Sequence, residues 1–317
     1  MTSILVTGAN GFVGRALCLD ALRRGLRVRG ATRTACELPD GVERAVVGAI
    51  DGETDWGDAL RGINTVIHLA ARVHVMKEAA ADPLAEFLRV NLHGTERLAR
   101  QAASAGVKRL VYVSSIKVNG ERTGDGRPFA ETDTPVPQDA YGISKWQAEQ
   151  ALHRIARETG LEVVIVRPPL VYGPGVKGNF IRLLAAVDKG VPLPFASIDN
   201  RRSLVYVGNL ADALLLCAIH PAAAGKTYLV RDGEDVSVPG LIRELAAGLG
   251  KPARMFFFPV WLLRTFGSLT GLRAPVGRIV DSLRIDDTLI RKELDWQPAF
   301  TLRQGVQATV AWYRDRY

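Results

Sequence analysis

The chain has 317 residues, of which 47% are apolar and 23% charged, so its composition is that of a folded globular protein. The net charge is +8, and the Lys and Arg residues are scattered without a dense basic run, which argues against a nucleic-acid partner. The same charge suits a small anionic ligand. We expect no metal site and a reducing, cytoplasmic location, because the chain has only three scattered cysteines, Cys18, Cys36 and Cys217.

The sequence predicts no signal peptide and no transmembrane segment. The most apolar stretch, Met255 to Leu272, is interrupted by Arg264 and contains Pro259, so it is a poor candidate for a membrane span. We expect a buried or lid-forming helix in this stretch, with contact to a membrane surface as the alternative.

The first half of the chain alternates strands and helices. Apolar runs predict strands at residues 3–7, 26–32, 45–47, 64–69, 109–114 and 162–167. Helical spacing of apolar residues predicts helices at residues 12–24, 82–105 and 141–159. This order predicts an α/β fold with a parallel sheet that is covered by helices on both faces and binds ligands at the carboxyl ends of its strands.

The pattern changes after Pro168, where proline and glycine become frequent. We therefore divide the chain into a dinucleotide-binding domain, 1–167, and a smaller C-terminal part, 168–317, that is mostly a substrate-binding lobe. Some elements of the second part are expected to return to the main sheet. Its predicted elements lie at residues 179–189, 203–207, 210–219 and 240–249.

A glycine-rich turn connects the first strand to the first helix. Gly8, Gly11 and Gly14 have the spacing that a Rossmann-type, doubly wound sheet uses for a tight turn, close approach to a pyrophosphate and close packing of helix on strand. The free N–H groups of the helix start then face the phosphates. The alternative is a glycine turn without a ligand. The predicted cofactor contacts here are Gly8, Asn10, Gly11, Phe12, Val13 and Gly14.

The end of the second strand bears on the choice between NADP and NAD. An acidic residue there would bind the ribose 2′-hydroxyl of NAD, but the strand ends in Thr32 and Arg33 without one. Arg33 could instead bind the 2′-phosphate, which favours NADP over NAD. The alternative is that Arg33 only stacks on the adenine.

Tyr141 and Lys145 lie four residues apart at the start of a predicted helix and therefore on one face of it. An ammonium beside a phenol favours the phenolate, so we expect a lowered pKa for Tyr141 and a role in proton transfer. Ser114 and Ser115 stand at the carboxyl end of the fifth strand, where the ligand edge of the sheet is predicted. The alternative for Tyr141 and Lys145 is a chance surface pair.

Several motifs occur together in the order that is typical of one enzyme family. They are Gly8-x-x-Gly11-x-x-Gly14, His68-Leu69-Ala70-Ala71, Asn91, Ser115, Tyr141-x-x-x-Lys145, Arg167-Pro168, Val171-Tyr172-Gly173-Pro174-Gly175, Val205-Tyr206-Val207 and Leu294-Asp295-Trp296-Gln297-Pro298. In these motifs, over nearly its whole length, the chain resembles the extended short-chain dehydrogenases, the NAD-dependent epimerase/dehydratase enzymes that act on nucleotide sugars.

The resemblance implies roles for the matching residues. Tyr141 would be the catalytic acid and base, Lys145 would hold the nicotinamide ribose, and Ser115 would bind the sugar oxygen at the reacting carbon. Asn91 would organise the fifth strand and the proton path, whereas His68 would be a packing residue. The further cofactor contacts that we expect are Ile50, Leu69, Ala70, Ala71, Val113 and Pro168.

The resemblance also implies a second site for the substrate. Asn179 and Arg202 match the family's contacts to the sugar-nucleotide diphosphate, and planar guanidinium groups suit phosphate. A further clamp is expected at Arg278, with Arg284 as the alternative. Lys117 is expected to contact substrate as well. Three residues of the loop after Ala71 could reach it too, or could belong to a solvated loop: Arg72, His74 and Lys77.

Two departures from the family pattern stand out. Val118-Asn119-Gly120 replaces the Val-Tyr-Gly of many 4-epimerases, and Ala49 replaces an Asp that binds the adenine amino group. The first departure, with Arg33, leads us to expect a 4-ketoreductase of a UDP- or dTDP-linked 6-deoxy or N-acetyl hexose. The alternatives are a 4-epimerase with tightly bound NAD and a catalytically silent cofactor-sensing module.

A dehydratase is disfavoured, because Ile116 and Lys117 provide no carboxylate pair beside the serine. Family members often form a four-helix bundle between two copies. The helices predicted at 82–105 and 141–159 would form a homodimer in this way.

Overall fold

The computed structural model describes residues 2–73, 82–124 and 127–317. These residues contain the strands β1 (Ser3–Thr7), β2 (Arg27–Thr32), β3 (Glu43–Val46), β4 (Thr65–His68), β5 (Arg109–Val113), β6 (Glu162–Arg167), β7 (Leu170–Tyr172), β8 (Arg202–Tyr206), β9 (Thr227–Leu229) and β10 (Asp235–Val236). The central sheet has the order β3-β2-β1-β4-β5-β6-β9, and all its neighbouring strands are parallel. The predicted α/β fold with a Rossmann-type sheet is therefore confirmed.

Helices cover both faces of this sheet. They are α1 (Phe12–Arg23), α2 (Gly57–Leu60), α3 (Pro83–Leu88), α4 (Gly94–Ser104), α5 (Ala140–Thr159), α6 (Asn179–Asp188), α7 (Val207–Ile219), α8 (Val238–Leu249), α9 (Val260–Leu269), α10 (Arg273–Val280), α11 (Thr288–Leu294) and α12 (Leu302–Arg314). None of the described helices is both long enough and apolar enough to cross a membrane.

The alternation of side chains along the strands builds a core on each face. Ile4 and Val6 of β1 point to the side of α1 and α7, whereas Leu5 between them packs on the side of α4 and α5. All three side chains are fully buried, as expected for a parallel sheet with helices on both faces.

The C-terminal part contributes to both units of the fold. Strand β9 pairs with β6, and α7 packs with α1 on the main sheet, so some elements do return to it. The other elements surround a small sheet of order β10-β8-β7, whose core is shared with α6, α8 and α12. A domain boundary at residue 167 stays a prediction.

The predicted single helix at 82–105 is wrong in its middle. Helix α3 begins at Pro83 after the cap Asp82, but a π-helical segment, Arg89–His93, separates it from α4. A π turn accommodates one more residue than an α turn, and such segments are frequent at functional sites. Asn91 lies in this segment, buried and with its side chain directed towards α5.

The prediction of a buried or lid-forming helix at 255–272 is also wrong in respect of burial. Gly267 is the one buried residue of α9. A Cβ on it would come within 2.7 Å of Val276, so α9 and α10 pack closely through this glycine. The rest of α9 faces outward or is half-buried.

The first helix packs tightly on the glycine turn, which gives a stability prediction. A Cβ on Gly14 would clash with the carbonyl oxygen of Gly8 and lie 2.8 Å from the Cα of Ala9, so the helix would have to move away from the strand. We expect Gly14→Ala to lower the free energy of unfolding by roughly 1–3 kcal/mol in urea titrations. Gly52→Ala is the control, because its Cβ would be 3.6 Å from His93 and should change stability little. Equal stability of both variants would contradict the tight packing.

Candidate active site

The glycine turn leaves the start of α1 open to an anion. Gly8 has a φ of 66°, which favours glycine, and its N–H donates to the carbonyl of Ala31. Gly11 is the N-cap of α1, yet no side chain caps it, and the first turn contains no acidic residue. The N–H groups of Phe12 and Val13 therefore point out of the helix unshielded, which fits the pyrophosphate of a dinucleotide.

Other predicted cofactor contacts surround this turn. Ala70 lies directly against Gly8. A Cβ added to Gly8 would come within 3.2 Å of the Ala70 backbone. Asn10 and Arg33 are exposed at the rim, Arg33 at the end of β2. The remaining ones follow the carboxyl ends of β3 to β6, buried or half-buried, and are Ile50, Leu69, Ala71, Val113 and Pro168.

Ser115 and Tyr141 meet above the carboxyl end of β5. Asp139 caps α5 by accepting from the N–H of Gly142 at 2.7 Å, which fixes the first turn that carries Tyr141. The side chains of Tyr141 and Ser115 lie near enough to each other for the serine to lower the pKa of the phenol. Its ring also makes an edge contact with Phe87, 6.1 Å between centroids. The structure thus brings together the phenol and the serine that the sequence singled out.

The expected lowering of the Tyr141 pKa is wrong in this structure. Burial raises the pKa of Tyr141 to about 12, the charge of Asp139 adds to this rise, and the nearby Ser115 side chain opposes it. Burial also lowers the pKa of Lys145 to about 7, against the charge of Glu149. Desolvation disfavours the charged forms of both groups. It therefore outweighs the lowering of the Tyr141 pKa that was expected from the Lys145 ammonium.

Lys145 lies near an aromatic ring and near a buried carboxylate, Glu149, that is paired with an arginine. Its Nζ is 4.1 Å from the ring centroid of Tyr112, a cation–π contact. Glu149 is held in a bidentate ion pair by Arg167, at 3.0 Å from Nε and 2.5 Å from Nη2. Arg167 also donates to the side chain of Asn119 at 3.0 Å. Asn119, the departure from Val-Tyr-Gly, is therefore a buried structural residue.

A chain of hydrogen bonds links Thr7, the last residue of β1, to Asn91. Thr7 Oγ1 accepts from the N–H groups of Leu69 and Ala70, so its own proton is left for His68 Nδ1 at 2.7 Å. His68 Nε2 must then carry the ring proton, and it donates to Thr95 Oγ1 at 3.0 Å. The Thr95 hydroxyl in turn donates to the carbonyl of Asn91 at 2.7 Å.

His68 is neutral within this chain. Burial, with the charge of Lys145, lowers the pKa of His68 to about 3. A neutral ring with one donor and one acceptor nitrogen fits the two threonines, so His68 positions its neighbours and does not transfer protons at neutral pH.

Asn91 extends the chain of hydrogen bonds to α5, the helix that contains Tyr141. Its amide oxygen accepts from the N–H of Arg72 at 2.8 Å, and its amide nitrogen donates to the Arg72 carbonyl and to Ser144 Oγ. The Ser144 hydroxyl in turn donates to the carbonyl of Tyr141 at 2.8 Å. Sequence reasoning missed three members of this chain, Thr7, Thr95 and Ser144, because ordinary threonines and serines carry no signal. Two candidates of the Arg72 loop, His74 and Lys77, lie outside the described residues.

Two predicted substrate contacts of the C-terminal part are the basic residues Arg202 and Arg278. Burial and the nearby charge of Arg278 lower the pKa of Arg202, against the charges of Asp281 and Glu121. Arg202 also donates to the carbonyl of Asp281 at 2.9 Å. Arg202 and Arg278 therefore influence each other electrostatically, and their role as contacts to the diphosphate stays a prediction. The alternative, Arg284, is bonded to Asp235 at 2.9 Å.

Two other predicted substrate contacts, Lys117 and Asn179, are not linked to Arg202 by any ion pair or hydrogen bond among the described residues. Lys117 forms ion pairs with Glu121, at 2.8 Å, and with Asp139, so its charge is already balanced. Asn179 is the exposed first residue of α6, and no hydrogen bond or ion pair among the described residues connects it to Arg202.

Comparison with known proteins identifies the family. The profile of the NAD dependent epimerase/dehydratase family matches residues 4–230. A UDP-glucose 4-epimerase of Vibrio cholerae is 45% identical over 309 residues, which cover 97% of this chain and 94% of that protein. The chain therefore belongs to the NAD-dependent epimerase/dehydratase family and is an enzyme of the short-chain dehydrogenase type, as its motifs indicated.

Solved structures agree with this assignment. MoeE5 in complex with UDP-glucose and NAD superposes with a TM-score of 0.79, at 28% identity and 99% coverage of both chains. The UDP-glucose 4-epimerase of Thermus thermophilus in complex with NAD gives a TM-score of 0.81, at 26% identity and full coverage of both chains. The prediction of a nicotinamide dinucleotide is confirmed, but the preference for NADP drawn from Arg33 finds no support here.

Lys145 gives a stability prediction. Its pKa falls from an ordinary 10.5 in the unfolded chain to about 7 in the folded protein, so folding costs free energy in full below pH 7 and progressively less up to pH 10.5. We expect Lys145→Met to stabilise the dinucleotide-free protein by roughly 1–4 kcal/mol at pH 6, a gain that shrinks towards pH 10. Thermal unfolding at both pH values measures it. The exposed Lys108→Met is the control, and a gain that does not depend on pH would contradict the prediction.

Proposed function

We propose that this enzyme is a nucleotide-sugar 4-epimerase that interconverts UDP-glucose and its C4 epimer with tightly held NAD. The similarity to the Vibrio cholerae 4-epimerase, over nearly the full length of both chains, carries this choice. It replaces the 4-ketoreductase that Arg33 and Asn119 suggested. Arg33 is only an exposed residue at the rim, and Asn119 is engaged by Arg167.

The residues present fit a dinucleotide. The uncapped start of α1, with Gly8, Gly11 and the N–H groups of Phe12 and Val13, would hold the pyrophosphate. Lys145 would hold the nicotinamide ribose. A bound dinucleotide would supply the hydride chemistry, while the protein would supply orientation and proton transfer.

The chain's own acid and base would be Tyr141. It would accept the proton of the sugar 4-hydroxyl and later return it, and the neighbouring Ser115 would hold the same oxygen. A phenol with a pKa of about 12 needs positive charge to act near neutral pH. Lys145 keeps its proton more readily once hydroxyl groups solvate its ammonium, and its charged form would lower the pKa of Tyr141.

The diphosphate of the substrate would be held by Arg202 and Arg278. Burial and mutual repulsion disfavour the charge of Arg202, so an anion between the two guanidinium groups would relieve that penalty. A grip on the diphosphate leaves the hexose free to turn its other face to the cofactor, which a 4-epimerase requires. Asn179 is proposed as a weaker contact, because it lies at the exposed start of α6.

The homodimer also stays a proposal. Helices α4 and α5 pack side by side, and their outer faces carry the ion pairs Arg100–Glu158, at 2.9 Å, and Arg154–Glu96. A four-helix bundle between two copies would have to accommodate these charges.

Turnover without added cofactor tests the reaction class. We expect the purified protein to retain about one NAD per chain and to interconvert UDP-glucose and UDP-galactose with no dinucleotide in the assay. Mass spectrometry of the denatured protein identifies the nucleotide. Activity that appears only with a 4-keto sugar and added NADPH would instead establish the 4-ketoreductase and overturn the proposal.

Removing one oxygen tests the proton path. We expect Tyr141→Phe to lower kcat by about 10²–10⁴-fold, with a smaller change in KM, because proton transfer is lost while the ring still packs on Phe87. Tyr317→Phe is the matched control, since Tyr317 is 82% exposed at the end of the chain. Unchanged turnover in Tyr141→Phe would show that the chemistry lies elsewhere.

A further inference from the structure

An exposed apolar surface lies on α9 and the segments next to it, and none of its residues belongs to the proton path. We call it the α9 surface. It consists of large side chains that are exposed by 47%, 73%, 66%, 61%, 82% and 47%: Phe256, Phe257, Trp261, Phe266, Leu269 and Leu272. In a water-soluble monomer such side chains usually occur singly, so a group of six within 17 residues indicates a binding surface.

The geometry of α9 puts its three exposed large apolar side chains, Trp261, Phe266 and Leu269, on one side of the helix. At 100° per residue, Trp261, Thr265 and Leu269 follow one another along the helix, and Phe266 lies beside Leu269. The opposite face contains Gly267, which packs against Val276 of α10. The helix therefore lies on α10 and turns an aromatic and aliphatic face away from the body of the protein.

The chain around this surface is rich in basic residues, two of which are ion-paired: Arg264 with Asp281 and Lys251 with Asp188. Residues 251–280 contain five basic residues and no Asp or Glu: Lys251, Arg254, Arg264, Arg273 and Arg278. Arg264 and Arg273 are exposed next to the apolar side chains, and Arg264 reaches across to Asp281 at 2.6 Å. The surface thus combines apolar groups with a basic rim, in which Arg254 and Arg273 form no ion pair within the described part of the chain.

We propose that the α9 surface docks this enzyme on an anionic lipid membrane, with α9 lying in the plane of the interface. A helix with an aromatic and aliphatic face and basic flanks inserts its apolar side chains at the level of the headgroups, while Arg residues attract anionic lipid. A second copy of the chain is a poorer occupant, because pairing two α9 surfaces about a twofold axis would bring two basic rims together.

Docking would turn the substrate side of the protein to the membrane. Helix α10 is anchored at the start of β8, where Asn200 donates to the carbonyl of Ile279 at 2.9 Å and Arg202 donates to that of Asp281 at 2.9 Å. The proposed diphosphate clamp therefore lies at the foot of the docked helix pair. The membrane contact itself does not depend on the proposed reaction.

Vesicle binding tests the proposal directly. The full-length protein is mixed with phosphatidylcholine vesicles, with or without about 30% phosphatidylglycerol, and bound protein is measured by sedimentation. We expect binding to the anionic vesicles that weakens with salt, and a blue shift in the fluorescence of Trp261, the one tryptophan of the described residues that is mostly exposed. Failure of the wild-type protein to bind anionic vesicles would overturn the proposal.

Matched variants locate the contact. We expect Phe257→Ser/Trp261→Ser/Leu269→Ser to reduce vesicle binding at least about tenfold, because three inserted side chains are lost. Leu19→Ser/Ile219→Ser is the control, since these residues are 50% and 53% exposed elsewhere. Both variants should retain turnover of soluble UDP-glucose, which checks folding, and circular dichroism does so if no activity is found.

Two further outcomes would contradict the proposal. Equal vesicle binding by the triple variant and the wild type would place the contact elsewhere. Concentration-dependent association of the wild type in sedimentation velocity, abolished in the triple variant and without vesicle binding, would make the α9 surface an interface between protein chains.

Discussion

The candidate site depends on a chain of buried hydrogen bonds that starts at Thr7. From there the chain runs through His68 and Thr95 to Asn91, and from Asn91 through Ser144 to the carbonyl of Tyr141. It joins the ends of β1 and β4 to the π-helical segment and the start of α5. Because each donor has one acceptor, the neutral form of His68 is fixed, and a change at one link leaves a buried polar group unpaired, which costs about 1–3 kcal/mol.

Burial decides the protonation of the groups next to this chain. It raises the pKa of Tyr141 and lowers that of Lys145, whereas the carboxylate of Glu149 keeps its charge partner in Arg167. The same desolvation acts on Arg202, where a neighbouring guanidinium adds to the penalty. These groups would therefore gain from ligands that carry compensating charge or hydrogen-bonding groups.

Elsewhere the tertiary structure reinterprets sequence features. The departure at Asn119 suggested a different reaction, yet its amide binds Arg167 and the carbonyl of Ala130, which is a packing role. The apolar stretch around Trp261 suggested a buried helix, yet α10 covers only the side with Gly267. Neither outcome follows from local pattern, because each depends on which distant segment covers the residue.

The sequence by itself determined the alternation of strands and helices, the glycine turn, and the positions of Ser115 after a strand and Tyr141 at a helix start, since periodicity, glycine spacing and strand-end position are local properties. Only the tertiary structure decided the π-helical break at Asn91 and the pKa directions of Tyr141 and Lys145. These depend on burial and on contacts between residues far apart in the chain, and no spacing rule encodes how much water a folded site excludes.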